Sequence, residues 1–314
     1  MGELQGYGSM LFSIIIPAKN EEKNIPRCLN ALATLSFSRS EFEVIVVDNG
    51  SCDATVSIVR DHGFQVHLKP RLSLSGLRNF GASAAQGDIL VFLDADCIPE
   101  QDWLANAALT LADREIGSTG STPVAPANGT WVEKVWSSFR TRRKNRCYAS
   151  WINSSNFFVR RELFFQVDGF NESVMTCEDV DICMRLNKLC RILFDPKIKV
   201  VHLGEPKTVR DFFLKEVWRG KGNISGIISH GFSRSEMLSL LLPVYYCLLP
   251  FGIAAAMGLA HGVTAGLLAF LYFLPALVFT VWVISQTQKY QYTMGYFTLF
   301  LVYANARVVA LFVK

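Results

Sequence analysis

Gly87-Asp-Ile-Leu-Val-Phe-Leu-Asp-Ala-Asp96 joins an unbroken apolar run, Ile89 to Leu93, to two carboxylates one residue apart. A short run rich in branched and aromatic side chains reads as a buried strand. Carboxylates at the carboxyl end of such a strand project into the crevice where open α/β sheets bind ligands. A hard divalent cation held there by one or two carboxylates keeps positions open for phosphate oxygens. The plainer reading is that Asp94 and Asp96 only solvate a turn, because Asp-x-Asp alone is a weak motif.

Working outward, Phe12 to Ile16, Glu43 to Val47 and Gln65 to Leu68 are further β-rich runs, and helical stretches separate them. Alternation of this kind predicts an α/β fold with a mostly parallel open sheet and crossover helices. Ile25, Leu29 and Leu32 share one face of a helix over residues 24–35. Asp48-Asn-Gly-Ser-Cys-Asp53 follows the second strand, with Asn49-Gly50 making a turn and Ser51 or Asp53 capping the next helix. Pro17 to Glu21, Asp48 and Asp94 to Asp96 therefore all stand at carboxyl ends of predicted strands, and they are expected to meet in one crevice.

The 314 residues carry a formal net charge of +4, too mild to argue for nucleic acid. The charge is unevenly spread: Glu236 to Gln288 contains no Lys or Arg and, after Glu236, no acid. This predicts a soluble domain over 1–208, an amphipathic interfacial helix and linker over 209–235, and a transmembrane region over 236–314. Residues 237–259 and 263–285 are each long enough to cross a bilayer, since about 20 apolar residues suffice. Residues 294–313 read as a third span, or as an interfacial segment with Arg307 snorkelling. Arg210, Lys215, Arg219, Lys221 and Arg234 precede the first run and Lys289 follows the second, which predicts cytoplasmic flanks. The helical spacing in Val209 to Arg219 suggests that Phe212, Phe213 and Trp218 anchor it to the leaflet, although a surface helix of the soluble domain has the same pattern. The eight cysteines show no metal-ligand or Cys-x-x-Cys spacing and read as reduced thiols, which favours a cytosolic polar half. Leu11 to Ile16 is too short and too β-rich for a signal peptide.

Five ordered stretches resemble the family 2 glycosyltransferases, nucleotide-sugar enzymes of the GT-A fold. They are Ser13-Ile-Ile-Ile-Pro-Ala-Lys-Asn-Glu-Glu22, Glu43-Val-Ile-Val-Val-Asp-Asn-Gly-Ser51, Gly76-Leu-Arg-Asn-Phe-Gly81, Gly87 to Asp96, and Glu178-Asp-Val-Asp-Ile-Cys-Met-Arg-Leu186. The resemblance implies that Pro17, Ala18 and Glu21 touch the nucleoside and that Asp48 accepts from a base N–H. It also implies that Arg78 lies near the nucleotide and that Asp94 lies near the ribose and the metal-bound diphosphate. Asp96 is then the more direct ligand of Mn²⁺ or Mg²⁺. Glu178-Asp179 resembles the family's Glu-Asp motif, with Asp179 as the base that takes the acceptor proton. Each residue also has a plainer role: Glu21 can start a helix, Asp48 shape its turn, Arg78 form a surface salt bridge, and Glu178 and Asp179 complement a helix dipole. His202, in Lys199-Val-Val-His-Leu-Gly204, is a candidate third ligand, an acceptor contact or a structural histidine.

Trp151 to Arg161 resembles the segment lining the acceptor side. Two departures stand out. Asp168 and Asn171 occupy positions where Gly and Asp are commoner in the family. Glu216-Val-Trp-Arg-Gly-Lys-Gly222 stands where processive synthases carry Gln-x-x-Arg-Trp. The expected protein is an inverting enzyme of the cell membrane, multi-pass, with its catalytic domain in the cytoplasm. It would move a single sugar from a nucleotide-sugar donor, UDP favoured, to a lipid-linked or membrane-presented acceptor in envelope or exopolysaccharide synthesis. Its partners would be that donor, that acceptor and membrane lipid, with no nucleic acid. The alternatives are a non-catalytic membrane scaffold of a glycan assembly complex and a processive polysaccharide synthase.

Overall fold

Four parallel strands begin the chain, because each apolar run is followed by a helix that carries the backbone back across the sheet. In the computed structural model, which describes residues 10–174, 176–221 and 234–313, β1 is Phe12–Ala18, α1 Ile25–Ala33, β2 Phe42–Asp48, α2 Thr55–Asp61, β3 Gln65–Leu68, α3 Leu74–Ala84 and β4 Ile89–Leu93. There follow β5 (Cys97–Pro99), α4 (Trp103–Leu111), β6 (Ile116–Gly120), α5 (Trp131–Arg140), β7 (Cys147–Tyr148), β8 (Asn156–Arg160), α6 (Arg161–Gln166), α7 (Glu178–Leu186), β9 (Arg191–Phe194) and β10 (Val200–His202). The last helices are α8 (Val209–Lys221), α9 (Arg234–Gly258), α10 (Gly262–Thr287) and α11 (Thr293–Ala310).

The main sheet has the order β3-β2-β1-β4-β8-β6-β9-β7, and β5 pairs with β10 in a separate antiparallel ribbon. The pairings β3-β2, β2-β1, β1-β4 and β6-β9 are parallel, while β8 runs antiparallel between β4 and β6. The expected α/β fold with a mostly parallel sheet is thus present, with β8 and the edge strand β7 running antiparallel to their neighbours. Every residue of β1 and of β4 is buried, as befits strands covered on both faces. One apolar layer, built on Ile14, Ile16, Leu29, Leu32, Val91 and Trp103, lies on one side of the sheet; Ile15, Leu77, Phe92, Phe157 and Phe164 belong to the other.

Two compact units emerge: residues 1–126 with 143–204, and residues 127–142 with 205–314. The sheet belongs to the first. The second joins α5 to α8 through α11, so a stretch interrupting the soluble half in sequence packs with the C-terminal helices. A capping box starts α5, in which Thr130 and Glu133 satisfy each other's backbone N–H groups.

Within this second unit, α9 and α10 each hold a segment long and apolar enough to cross a membrane, Leu241–Gly258 and Gly262–Thr287. Among the described residues α11 does not reach that standard, and its Asn305 and Arg307 have partners on neighbouring helices. Asn305 Oδ1 accepts from the Tyr272 hydroxyl of α10 at 3.0 Å, and the Arg307 guanidinium pairs with Glu216 of α8 at 3.0 Å. Arg307 is therefore tied to a buried carboxylate and does not snorkel. Of the three anchors expected on α8, two pack against neighbouring residues. Phe212 is fully buried against Val132, Val135 and Tyr296, and Phe213 packs beside Val217, Ala306 and Ala310; Trp218 is exposed. The linker expected after α8, residues 222–233, and with it Gly222, lies outside the described residues.

Candidate active site

At the carboxyl ends of the parallel strands, Ala18 of β1 pairs in register with Asp48 of β2, so the two loops that follow start side by side. They are laced together. Asn20, held at a left-handed φ of 55°, donates its N–H to Ser51 Oγ at 2.8 Å and accepts from Cys52 N–H at 2.8 Å through its side chain. The Glu21 N–H donates to Thr55 Oγ1 at 2.8 Å. Pro17 and Ala18 are buried in the strand end beneath this floor.

Asp48 is buried, and its turn already uses most of its acceptor capacity. Oδ1 accepts from the N–H groups of Gly50 and Ser51, both at 2.9 Å, and Oδ2 accepts from the Ser51 hydroxyl. A carboxylate offers about four lone-pair positions. One remains on Oδ2 for an outside donor.

Glu21 faces the acids of the next strand. Burial pushes its carboxyl pKa up, the Asn24 amide at 2.8 Å pulls it back, and the negative fields of Asp96, Asp94 and Asp53 push it further up. Strands β1 and β4 are parallel neighbours, so the β1 loop and the β4 loop open side by side into one electronegative crevice.

β4 delivers Asp94 and Asp96 to that crevice, but their surroundings differ. Asp94 accepts a bond from Arg78 Nη2 of α3 at 2.9 Å. Arg78 Nη1 donates to Glu178 of α7 at 2.8 Å. The guanidinium, 1 % exposed, bridges two carboxylates 84 residues apart in the chain. Burial opposes its charge, and the carboxylates of Asp94 and Glu178 more than offset that, so its pKa is raised. Ser154 adds a hydroxyl donor to Glu178 at 3.1 Å. Asp179, next to it in the first turn of α7, is half-buried, with Oδ1 accepting from the Val180 N–H at 2.9 Å.

Asp96 turns to the β5–β10 ribbon. Its Oδ1 lies 3.3 Å from His202 Nε2, and its carbonyl accepts the Leu203 N–H at 2.9 Å. Asp96, Cys97 and His202 each place one ligand atom within 4.8 Å of the others. A carboxylate oxygen with an imidazole nitrogen suits Mn²⁺. The Cys97 thiol fits that set less well, because sulfur is a soft donor and Mn²⁺ prefers oxygen and nitrogen; burial first and the Asp94 and Asp96 charges next raise the thiol's pKa. Gly204 shapes the cradle: a Cβ there would lie 1.9 Å from Asp96 Oδ2. The residues present fit a divalent cation at Asp96 and His202, with Asp94 held instead on Arg78.

Of the residues singled out in the sequence, Glu21, Asp94, Asp96 and His202 come together here, and Arg78 links them to Glu178 and Asp179. Sequence reasoning placed Arg78 beside a nucleotide or in a surface salt bridge, whereas the structure buries it between Asp94 and Glu178. It also passed over Cys97, Gly204 and Asn156, whose buried amide accepts from Trp103 Nε1 at 2.9 Å and donates to Ile198 O at 2.8 Å. The Gly after His-Leu in residues 202–204 was the visible signal for the cradle. For the bridge no local signal exists.

The solved structures show a common fold. The mannosyltransferase PcManGT of Pyrobaculum calidifontis, in complex with GDP-Man and Mn²⁺, superposes with a TM-score of 0.62 at 20 % identity, covering 96 % of this chain and 86 % of that one. Among curated relatives, glycosyltransferase AglE of Haloferax volcanii is 32 % identical over 177 residues, 54 % of this chain. The chain spans little more than half of that relative's length, 58 %. A dolichyl N-acetyl-α-D-glucosaminyl phosphate 3-β-D-2,3-diacetamido-2,3-dideoxy-β-D-glucuronosyltransferase of Methanococcus voltae is 24 % identical over 293 residues, 88 % of either chain. Residues 13–167, which contain the β1 loop, Asp48, Arg78, Asp94 and Asp96, match the description "Glycosyl transferase family 2", and to that family the chain belongs.

Proposed function

We propose that the protein is an inverting, membrane-bound glycosyltransferase that moves one sugar from a nucleoside diphosphate donor to a hydroxyl of a lipid-linked acceptor. The observation that carries the reading is the Arg78 bridge, which fixes Asp94, at the donor end, and Glu178, beside the proposed base, on one buried guanidinium. In the transfer the acceptor oxygen bonds to the anomeric carbon as the bond from that carbon to the diphosphate oxygen breaks. The hydroxyl proton passes to the Asp179 carboxylate, and the nucleoside diphosphate leaves with the electron pair. Asp96 and His202 would hold Mn²⁺ or Mg²⁺, which when bound neutralises charge on the diphosphate. The laced loops over residues 17–22 and 48–53 would hold the nucleoside, with the remaining Asp48 lone pair taking a base N–H. That preference suits uracil, and UDP is the favoured nucleotide.

The membrane part of the reading rests on α9 and α10, whose apolar segments suit a hairpin joined at Ala260-His261. The positive-inside rule places the basic flanks, and with them the catalytic unit, on the cytoplasmic side. The Methanococcus relative's name specifies a dolichyl-linked phosphate, which supports a lipid-linked acceptor. Purified full-length protein with Mn²⁺, a panel of nucleotide sugars and lipid-phosphate acceptors is expected to release nucleoside diphosphate. Asp179→Asn should lower kcat by roughly 10²- to 10⁴-fold, the usual contribution of a general base. An unchanged rate would remove Asp179 from that role.

A further inference from the structure

Asn156 opens β8 with its side chain fully buried and its amide fully committed. Trp103 Nε1 of α4 donates to it at 2.9 Å, and an indole nitrogen can only donate, so the atom facing it is the amide oxygen. The amide nitrogen therefore faces the acceptors: the Ile198 carbonyl at 2.8 Å, Ser121 Oγ at 3.0 Å and the Ser121 carbonyl at 3.2 Å. The Ser121 hydroxyl closes the triangle by donating to the same Ile198 carbonyl at 2.6 Å. Trp103, Ser121 and Ile198 are themselves buried. Leucine at this position would orphan the Trp103 N–H, and aspartate would set an acceptor against three acceptors.

The plainer role of such an amide is to hold a core together, but its place gives it a second one. Asn156 is the register partner of Leu93, the residue before Asp94, so it flanks the end of the strand that delivers Asp96. Ile198 lies two residues before β10, which carries His202. β10 is held on one side by β5, with His202 opposite Cys97. On its other side Val124 donates to the Val200 carbonyl and accepts the His202 N–H, both at 2.9 Å. Through Ser121 and Ile198 the amide thus grips the start of both segments, 121–124 and 198–202, whose pairing places the imidazole. All of these residues belong to the first unit.

We infer that Asn156 is a positioning residue, which sets the separation of Asp96 and His202 and thereby the affinity of the site for a divalent cation. The inference rests on the Asp96 and His202 cation site proposed above. Asn156 acts on the two ligands indirectly, through Leu93 on one side and through Ser121 and Ile198 on the other. Ligands must be held to within about 0.5 Å of their productive places, and neither β4 nor β10 fixes the other's ligand by itself. The β5–β10 ribbon is only three residue pairs long, so its own pairing leaves His202 weakly braced once the amide is gone.

The test uses the purified full chain in detergent, with Mn²⁺ alone titrated by calorimetry. Asn156→Ala is expected to weaken Mn²⁺ binding about tenfold, the lower end of what losing a ligand's outer support costs. Ser121→Ala removes only the hydroxyl between the amide and Ile198; it should weaken binding about threefold, and it carries the test if Asn156→Ala does not fold. Val159→Ala controls for general loosening, since it truncates a fully buried residue of the same strand in the other apolar layer. It should leave the affinity within about twofold of the parent while lowering the melting temperature. A second measurement needs no metal: in EDTA, amide hydrogen exchange over 198–203 should quicken about tenfold in Asn156→Ala, with β1 unchanged. Parental affinity in both Asn156→Ala and Ser121→Ala would overturn the inference, as would an equal loss in Val159→Ala. Asp96→Ala separates the inference from the reading beneath it. If Asp96→Ala binds Mn²⁺ as the parent does, the cation site falls and the inference with it; if Asp96→Ala loses binding while Asn156→Ala keeps it, only the positioning role is removed.

Discussion

Arg78→Met keeps most of the side chain's apolar volume and deletes the charge between Asp94 and Glu178. Two charge-assisted bonds, at 2.9 and 2.8 Å, are lost. Such bonds contribute about 1.5–3 kcal/mol each, and breaking a buried pair typically costs about 3–5 kcal/mol. Two features reduce the sum here. Asp94 is 31 % exposed, so water takes up its released oxygen, and Arg78 Nε already lacks a partner among the described residues. Glu178 is only 15 % exposed and carries most of the penalty. The expected loss is about 3 kcal/mol, a fall in melting temperature of roughly 6–12 °C for a domain of this size. Thermal melting of the full chain in detergent measures it.

On the proposed function, the same substitution should lower kcat by about 10²-fold, because both proposed reaction ends lose their common support and misplacement by about 1 Å has that effect. A cycle with Glu178→Gln isolates the pair and should return a coupling of about 1–2 kcal/mol. Arg78→Lys is expected to rescue little, since a compact ammonium cannot span two carboxylates as a planar fork does. A stability loss under about 1 kcal/mol, a coupling near zero, or full rescue by lysine would refute the bridge as the frame of the site.

Three further outcomes follow from single observations. Gly204→Ala should weaken Mn²⁺ binding about tenfold in calorimetry, since its Cβ would displace the Asp96 carboxylate; normal affinity would exclude Asp96 as a ligand. Asp168 sits exposed at φ 60°, a left-handed conformation that suits glycine, so Asp168→Gly should raise stability by about 0.5–1 kcal/mol in urea denaturation. Glu21 has a raised pKa, so the folded state holds its proton more tightly than the unfolded chain does. Stability then falls as pH rises from the ordinary carboxylate range through the raised value. In the presence of EDTA, Glu21→Gln should melt higher than the parent at pH 7, and the two should converge at acid pH.

Local pattern was enough for the first four strands, because β1, β2 and β4 are runs buried on both faces, β3 is a short run at the sheet's edge, and each ends in a turn signal. β8 was less legible. Asn156 to Arg160 reads equally well as any apolar segment, and its antiparallel insertion between β4 and β6 depends on pairing partners 37 or more residues away. The departure at Asp168 was visible as a residue replacing the family's glycine, and the positive φ gives the reason for that glycine. Asp48 was legible both as a turn acid and as a ligand-facing acid, and the structure gives three of its acceptor positions to the turn.

The long-range ion pairs show where reading along the chain stops. Arg78 meets Glu178 across 100 positions and Arg307 meets Glu216 across 91, and neither partner alters the local pattern around the other. In an apolar run, an arginine seen alone has two cheap solutions, to snorkel or to leave the membrane. A third solution, a buried carboxylate on a neighbouring helix, requires knowing which helices are neighbours. Glu216 is that carboxylate, and it also accepts from Arg219 one turn along α8. One acid thus faces two cations, so truncating Glu216 should destabilise the second unit more than truncating either arginine. Glu216→Gln should lower the melting temperature further than Arg219→Gln does, by at least about 3 °C. The reverse order would mean that the carboxylate is held by something other than this pair of guanidinium groups.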